Sequence, residues 1–248
     1  MRCKYAKPIA LGSIIVATAM ACRKNEEGAS DPYEQGCGGM GTVIDADGHG
    51  YSVVHVGGRC WMAADLRTTH FRNGSPIPEV TDNSVWADLS TGAWCNYSNA
   101  PANDGIYGKL YNWYAVEDPA GLCPQGWHVP SDAEWKQLEV SLGLMVSESD
   151  LTGYRGEIQS VGGKLKAATL WYPPNIGATN ASGFSGFPGG YRNLNGSFGN
   201  IGLYGYWWSA SESGADTCWF RHLNYNNAGI GRNSNEKKLG LCVRCIRD

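Results

Sequence analysis

Cys123-Pro124-Gln125-Gly126-Trp127-His128-Val129-Pro130-Ser131-Asp132-Ala133-Glu134-Trp135-Lys136-Gln137-Leu138-Glu139 is the stretch that decides how this chain reads. Its second half carries the signals of a helix start. Pro130 marks the entry, Ser131 can cap the first free amides, and Glu134 three residues later completes a capping box. Trp135, Leu138 and Leu142 then fall on one face. In the first half, His128 beside Trp127 reads as a packed histidine, hydrogen-bonded in the core. Two further short helices fit Lys109–Val116 and Gly163–Ala168. Outward from this helical middle the pattern changes. Thr42–Val56 reads as a hairpin around the turn cluster Asp45–Gly50. Residues 60–70 open a long irregular stretch punctuated by Gly74, Pro76, Pro78, Gly92, Pro101 and Gly105. From residue 183 strands dominate: Tyr206–Ser211, the alternating Thr217–Tyr225, a polar turn region Asn226–Asn235, and a final strand Leu239–Ile246. Few helices early and antiparallel strands late make an α+β chain.

Composition agrees. The 248 residues include 34 Gly, 10 Trp and 13 Tyr, with only 17% charged. That excludes a helical bundle or coiled coil, and the aromatics, which need burial, exclude disorder. The net charge of −3 lacks the basic footprint of a nucleic-acid binder, so no nucleic acid is expected as a partner.

The first segment reads as a targeting signal rather than fold. Arg2, Lys4 and Lys7 precede the apolar run Ile9–Ala19, then Met20-Ala21-Cys22. That run is too short to span a bilayer. Cys after Ala21 predicts a lipoprotein signal, 1–21, with lipid placed on Cys22; Ala19 stands where Leu is usual, and an ordinary signal peptide is the other reading. Residues 22–41 are polar and unpatterned, a flexible tether. Within it Lys24-Asn25-Glu26-Glu27 is either a short acidic surface-export signal or a solvated charge cluster. The expected location is the outer membrane, on the cell surface, with the membrane a partner through the lipid.

A series of ordered blocks carries a resemblance. They include Thr42-Val43 with Asp45 and Asp47-Gly48, then Trp61-Met62-Ala63 with Asp65-Leu66, and Tyr107-Gly108-Lys109-Leu110-Tyr111-Asn112-Trp113. Next come Cys123–Pro130 with Glu134-Trp135, and Gly163 with Leu165-Lys166. Gly189-Gly190-Tyr191-Arg192, Trp207-Trp208-Ser209 and Val243–Asp248 complete the set. Over 42–248 the chain resembles the Fibrobacter succinogenes major paralogous domain. That family resembles the wider C-type-lectin-like fold, including its formylglycine-generating branch. The resemblance implies one lectin-like domain over 42–248, two or three helices on antiparallel sheets with long loops. It also implies an extracytoplasmic lipoprotein, and a Cys near the first helices tied to the last strand, Cys123–Cys245. Some retroelement-diversified receptors are lipoproteins of this family, with C-terminal segments rich in Asn, Tyr and Ser. Asp65 stands where members often have Asn. Cys60 and Cys242 stand where other residues are common.

Seven cysteines follow Cys22, and an exported chain with so many reads as disulfide-bearing. Six cysteines alone allow 15 pairings. Cys218 and Cys242 lie on neighbouring candidate strands and could pair; Cys60–Cys95 is a further expectation, and Cys37 is left over. A zinc site is not expected: Cys242 and Cys245 form a lone CxxC, and strand residues three apart face opposite ways.

Catalytic patterns are missing. None of the five histidines sits in HExxH or HxH, and neither GxSxG nor a P-loop occurs. The copper-holding cysteine pair of the formylglycine-generating branch is reduced to Cys218, and the lectin calcium motifs are not present. No catalytic residue, metal or cofactor is therefore expected. The leading expectation is a non-enzymatic surface module binding an extracellular glycan or protein; an enzyme or enzyme accessory of the same fold is the rival. Residues 191–235 are dense in Asn, Tyr, Ser and Gly. That is the composition of recognition loops, or of filler on a Gly-rich scaffold. In Thr217–Tyr225, alternation assigns Trp219, Leu223 and Tyr225 to the core and turns Phe220, His222 and Asn224 outward. The expected binding face is Tyr204, Phe220, His222, Asn224, Asn226, Asn227, Arg232 and Asn233.

Overall fold

The structure, a computed structural model, describes residues 35–248. The expected signal segment 1–21, Cys22 with its lipid, and residues 23–34 of the expected tether lie outside the described residues. Strands β1 (Thr42–Ile44), β2 (Gly50–Val56) and β3 (Arg59–Met62) form an antiparallel meander. Helix α1 (Asn83–Ala87), β4 (Trp94–Cys95), α2 (Asp104–Tyr107), β5 (Leu110–Tyr111), α3 (Trp113–Glu117) and β6 (Trp127–His128) follow in the loop-rich middle. Helix α4 (Asp132–Ser141) is the longest among the described residues. After it come β7 (Gly153–Arg155), α5 (Val161–Leu165), β8 (Tyr191–Arg192) and β9 (Phe198–Gly199). The last strands are β10 (Tyr204–Glu212), β11 (Thr217–Asn224), β12 (Ile230–Glu236) and β13 (Ile246–Arg247). One sheet has the order β1-β2-β3-β13-β6, the other β10-β11-β12-β7. The chain is thus α+β.

The local signals behave as their chemistry dictates. The Ser131 hydroxyl accepts from the Glu134 amide while the Glu134 carboxylate accepts from the Ser131 amide, closing the capping box of α4. The helix expected over Lys109–Val116 is instead split. Leu110–Tyr111 pairs with β4, and Asn112 caps α3 by accepting from Ala115 N–H, the position an Asn side chain prefers. The polar turn expected over Asn226–Asn235 ends at Gly229. Ile230–Glu236 is a strand because β11 on one side and β7 on the other complete its ladders. The final strand expected over Leu239–Ile246 is regular only at Ile246–Arg247. Before that, Gly240, Leu241 and Cys242 bridge three different partners: Arg192, Tyr111 and Trp207.

The irregular segments are tied down by indoles and guanidinia. Trp86, Trp94, Trp113, Trp135, Trp171 and Trp208 each donate Nε1–H to a backbone carbonyl distant in sequence. A large apolar body and one polar handle suit that use, since loop carbonyls buried without a partner are costly. Trp61, Trp135, Phe184 and Trp207 meet edge-on or tilted at 5.1–6.1 Å in the core. Arg192, fully buried, donates to the carbonyls of Val80, Thr81, Asp82 and Gly196 and lies 4.3 Å from the Trp86 ring. Arg244 pairs with Asp65 at 2.6 Å, and Trp207 donates to the same carboxylate oxygen at 2.7 Å. Several of the quoted sequence blocks therefore meet in one buried polar frame.

Two disulfides close the fold, Cys123–Cys245 and Cys37–Cys60. The first spans 122 residues, worth about 4–5 kcal/mol by loop closure. The other expected pairings are corrected. Cys218 and Cys242 are free because β10 lies between them, pairing with β11 on one edge and with Cys242 on the other. Cys60 bonds Cys37, not Cys95, which is free and buried beside Leu110. Cys37 is therefore not left over: it lies in a 3-10 turn, Gln35–Cys37, held by that bond.

Candidate binding site

Sheet β10-β11-β12-β7 has two faces, and the register sorts them. Tyr206 pairs His222, His222 pairs Gly231, and Gly231 pairs Tyr154, so these four share one cross-strand row. Phe220 and Asn233 form the neighbouring row. Period-2 alternation puts Arg221, Arg232 and Arg155 on the opposite face, toward α4.

That inner face is an ion-pair layer. Arg221 contacts Glu139 at 2.5 Å and Asp132 at 2.8 Å; Arg155 contacts Glu139 at 2.9 Å and Arg232 contacts Asp132 at 2.8 Å. Burial works against the Asp132 charge, but Arg232 and Arg221 hold its carboxyl well below the usual range. Three guanidinia thus face two carboxylates. Arg232 also lies 3.5 Å from the Trp219 ring. The expectation of Arg232 on the binding face is therefore corrected: its strand register turns it inward.

The outer face carries a cavity of about 340 Å³. Tyr204, Tyr206, Phe220 and His222 form one wall, and Tyr191, Asn193, Asn200, Asn233, Asn235 and Leu239 complete it. Tyr204 and Tyr206 stack at 5.5 Å, and Tyr191 meets Tyr206 edge-on at the same distance. The His222 ring sits among Tyr154, Tyr204, Tyr206 and Phe220 at 5.0–6.1 Å. It leans over Gly231, where an added Cβ would lie 1.9 Å from Cε1. Burial, then the charges of Arg155 and Arg221, push the His222 pKa down to about 4, so the imidazole is neutral at pH 7. Its Nδ1 is buried with no hydrogen-bond partner among the described residues.

The exposure expected for Phe220 and His222 is corrected. They are 6% and 8% exposed, because the tyrosines and the Leu239 segment wall them in, yet they floor an open cavity. Asn224 shares the face but is committed: its amide donates to Tyr154 OH and its carbonyl accepts from Asn226 N–H. Asn226 stays exposed and outside the cavity, and Asn227 is fixed to Glu157 and Gly229. The structure thus gathers Tyr204, Phe220, His222 and Asn233 at one cavity and leaves Asn224, Asn226, Asn227 and Arg232 out of it. The expected site left out Tyr191, Asn193, Asn200, Tyr206, Asn235 and Leu239; Tyr206 and Asn235 each lie two residues from an expected site residue on the same strand. That spacing was the available signal.

A larger cavity, about 490 Å³, lies beside His128. Its polar groups satisfy one another. His128 Nδ1 faces Asp248 at 2.6 Å, Nε2 faces Glu134 at 3.0 Å, and Glu134 also accepts from Arg59 and Ser131. His128 is therefore a half-exposed clamp on residue 248, not the core histidine expected. Asn200 donates to Tyr206 OH in the smaller cavity, which is nonetheless the better candidate because the side-chain NH₂ groups of Asn193, Asn233 and Asn235 have no partner among the described residues.

The chain matches no curated protein and no solved structure. The model of the Fibrobacter succinogenes major domain matches residues 54–247, which takes in both sheets from β2 onward and every residue of the outer-face cavity. The chain belongs to the Fibrobacter succinogenes major domain family.

Proposed function

We propose that this chain is a non-enzymatic ligand-binding module of the cell envelope, and that it binds an extracellular ligand in the tyrosine-asparagine cavity of the β10-β11-β12-β7 sheet. The observation that carries this reading is a concave aromatic surface rimmed by Asn193, Asn233 and Asn235, whose side-chain NH₂ groups have no partner among the described residues. The α+β frame, with long tied-down loops and a Cys123–Cys245 bond closing its last strand, supports a C-type-lectin-like reading. The basic, then apolar, then Met-Ala-Cys order at residues 2–22 supports anchorage by lipid on Cys22 at the outer membrane and display on the cell surface. A diversified C-terminal face would fall on β10 to β12, which line this cavity. The rival enzymatic reading finds its nearest group in Cys218, whose buried thiol is pushed up to about 12 and stays protonated at neutral pH.

The test is a screen of the purified full chain against glycan and cell-surface protein arrays. A ligand whose binding is lost on Tyr206→Ala and Asn235→Ala, with unfolding curves still cooperative, supports the reading. A ligand insensitive to both would place binding elsewhere and refute it. Palmitate labelling of wild type against Cys22→Ser tests the anchor, with equal labelling as the refuting result.

A further inference from the structure

Resting on the reading that the outer-face cavity binds a ligand, we infer that its occupant is an uncharged sugar ring, held by tyrosine faces and by side-chain amide donors, rather than a charged glycan or a protein segment. Charge comes first. No Lys, Arg, Asp or Glu of the described residues lines the cavity. The charges acting on His222 are the guanidinia of Arg155 and Arg221 behind the sheet, which oppose a proton on it. A cation, including a quaternary ammonium that tyrosine rings would otherwise attract, meets positive potential and no carboxylate. An anion meets no reachable cation, because those guanidinia are buried and bound to Glu139 and Asp132. A neutral ligand is what remains.

The donor inventory narrows it further. Asn193, Asn233 and Asn235 each use their side-chain carbonyl to accept from a backbone N–H, of Leu194, Gly153 and Glu236 respectively. That leaves three NH₂ groups on the cavity wall without a partner among the described residues. They present three donors around stacked rings, while Asn200 is committed, donating to Tyr206 OH at 2.8 Å. A hydroxyl-bearing ring matches both parts. Its C–H face lies on tyrosine, and its oxygens accept from amide NH₂ groups. A peptide side chain could fill about 340 Å³, but an uncharged one offers too few oxygens for three separate donors.

The experiment is calorimetric titration of the full chain with soluble neutral oligosaccharides (gluco-, manno-, xylo- and galacto-configured). Oligogalacturonate serves as the anionic probe, chitosan oligomers as the cationic one and a mixed peptide library as the protein-like one. The expected result is binding of at least one neutral series, with affinity unchanged between 0.05 and 0.5 M salt as ~0 screening requires for an uncharged ligand. Asn233→Asp and Asn235→Asp should each weaken it about fivefold by removing a donor. Tyr206→Phe should keep most of the affinity, and Tyr206→Ala should lose about tenfold or more. The two Asn positions are surface positions, so those variants fold even where Tyr206→Ala does not. Binding of no neutral series overturns the inference. So does binding confined to a charged probe or a peptide, or a gain of affinity on Asn→Asp, which marks a cation; if those bindings are still lost in the Tyr206 and Asn235 alanine variants, the cavity reading survives while the sugar assignment falls. Neutral binding untouched by every cavity variant overturns both.

Discussion

Gly231→Ala tests whether the His222 ring is built into the sheet as described. A Cβ at residue 231 would stand 1.9, 2.2 and 2.4 Å from three atoms of the His222 imidazole. Contacts of this kind do not persist, so the ring must move by roughly 1 Å or change rotamer. It has little room, being fenced by Tyr154, Tyr204, Tyr206 and Phe220. Overpacking typically costs about 1–3 kcal/mol, and loosened ring pairs add a further ~0.5–1.5 kcal/mol, so the expected loss is about 2–3 kcal/mol. Urea unfolding of wild type, Gly231→Ala, His222→Ala and the double variant reads it as a cycle. If the clash is the cause, the alanine at 231 should be nearly harmless once the imidazole is gone, giving a coupling of about 2–3 kcal/mol of favourable sign. A Gly231→Ala loss under about 0.5 kcal/mol, or additive single effects, would refute the placement of His222.

Acid should find the same histidine. Its folded pKa of about 4 lies below the unfolded 6.5, so between these values the unfolded chain binds the extra proton and stability falls as pH drops, by about 3 kcal/mol in all. His222→Phe should remove that slope between pH 6.5 and 4.5; an identical slope in the variant contradicts the assignment. Glu139→Gln leaves Arg221 and Arg155 buried against a neutral group and should cost about 3–5 kcal/mol in chemical denaturation, whereas a change below about 1 kcal/mol would mean that the ion-pair layer is not as tight as described. Peptide mapping without reduction should recover Cys37–Cys60 and Cys123–Cys245; a Cys218–Cys242 or Cys60–Cys95 link would contradict the fold.

What could be read from sequence was what residues a few positions apart decide. The Ser131–Glu134 box starts α4 as expected because both partners lie within one turn. The alternation of β11 separates Phe220 and His222 from Leu223 correctly, since period 2 is a local property. Burial is not local. Alternation says that Phe220 and His222 share a face, but not that Tyr191, Tyr206 and Leu239 wall that face in. Arg232 reads as part of a polar turn until β7, some 80 residues earlier, supplies the partner that makes its segment a strand. The Cys218–Cys242 pairing fails for the same reason: that β10 separates the two is a fact of sheet order. Phe220→Ala and His222→Ala would therefore cost stability as well as binding. A buried Phe→Ala alone typically loses about 3–5 kcal/mol, which is why the rim asparagines make the cleaner probes.

Ile246 pairs with Trp61 on one side and with His128 on the other, so β13 is the interior rung of the five-stranded sheet. Two halves of that sheet, made from residues 42–62 and 127–128, have no direct ladder to each other. Everything between must be synthesised and held before the keystone arrives. A chain with such long-range closure folds slowly and late, only after residue 246 is available. Until then the edge of β3 exposes Cys60 and Trp61 with unmade hydrogen bonds, an open template for a neighbouring chain. Loss of Ile246 and Arg247 would part β3 from β6 and leave an unpaired edge on each, so a nick near residue 245 is a more damaging lesion than any single substitution in the cavity.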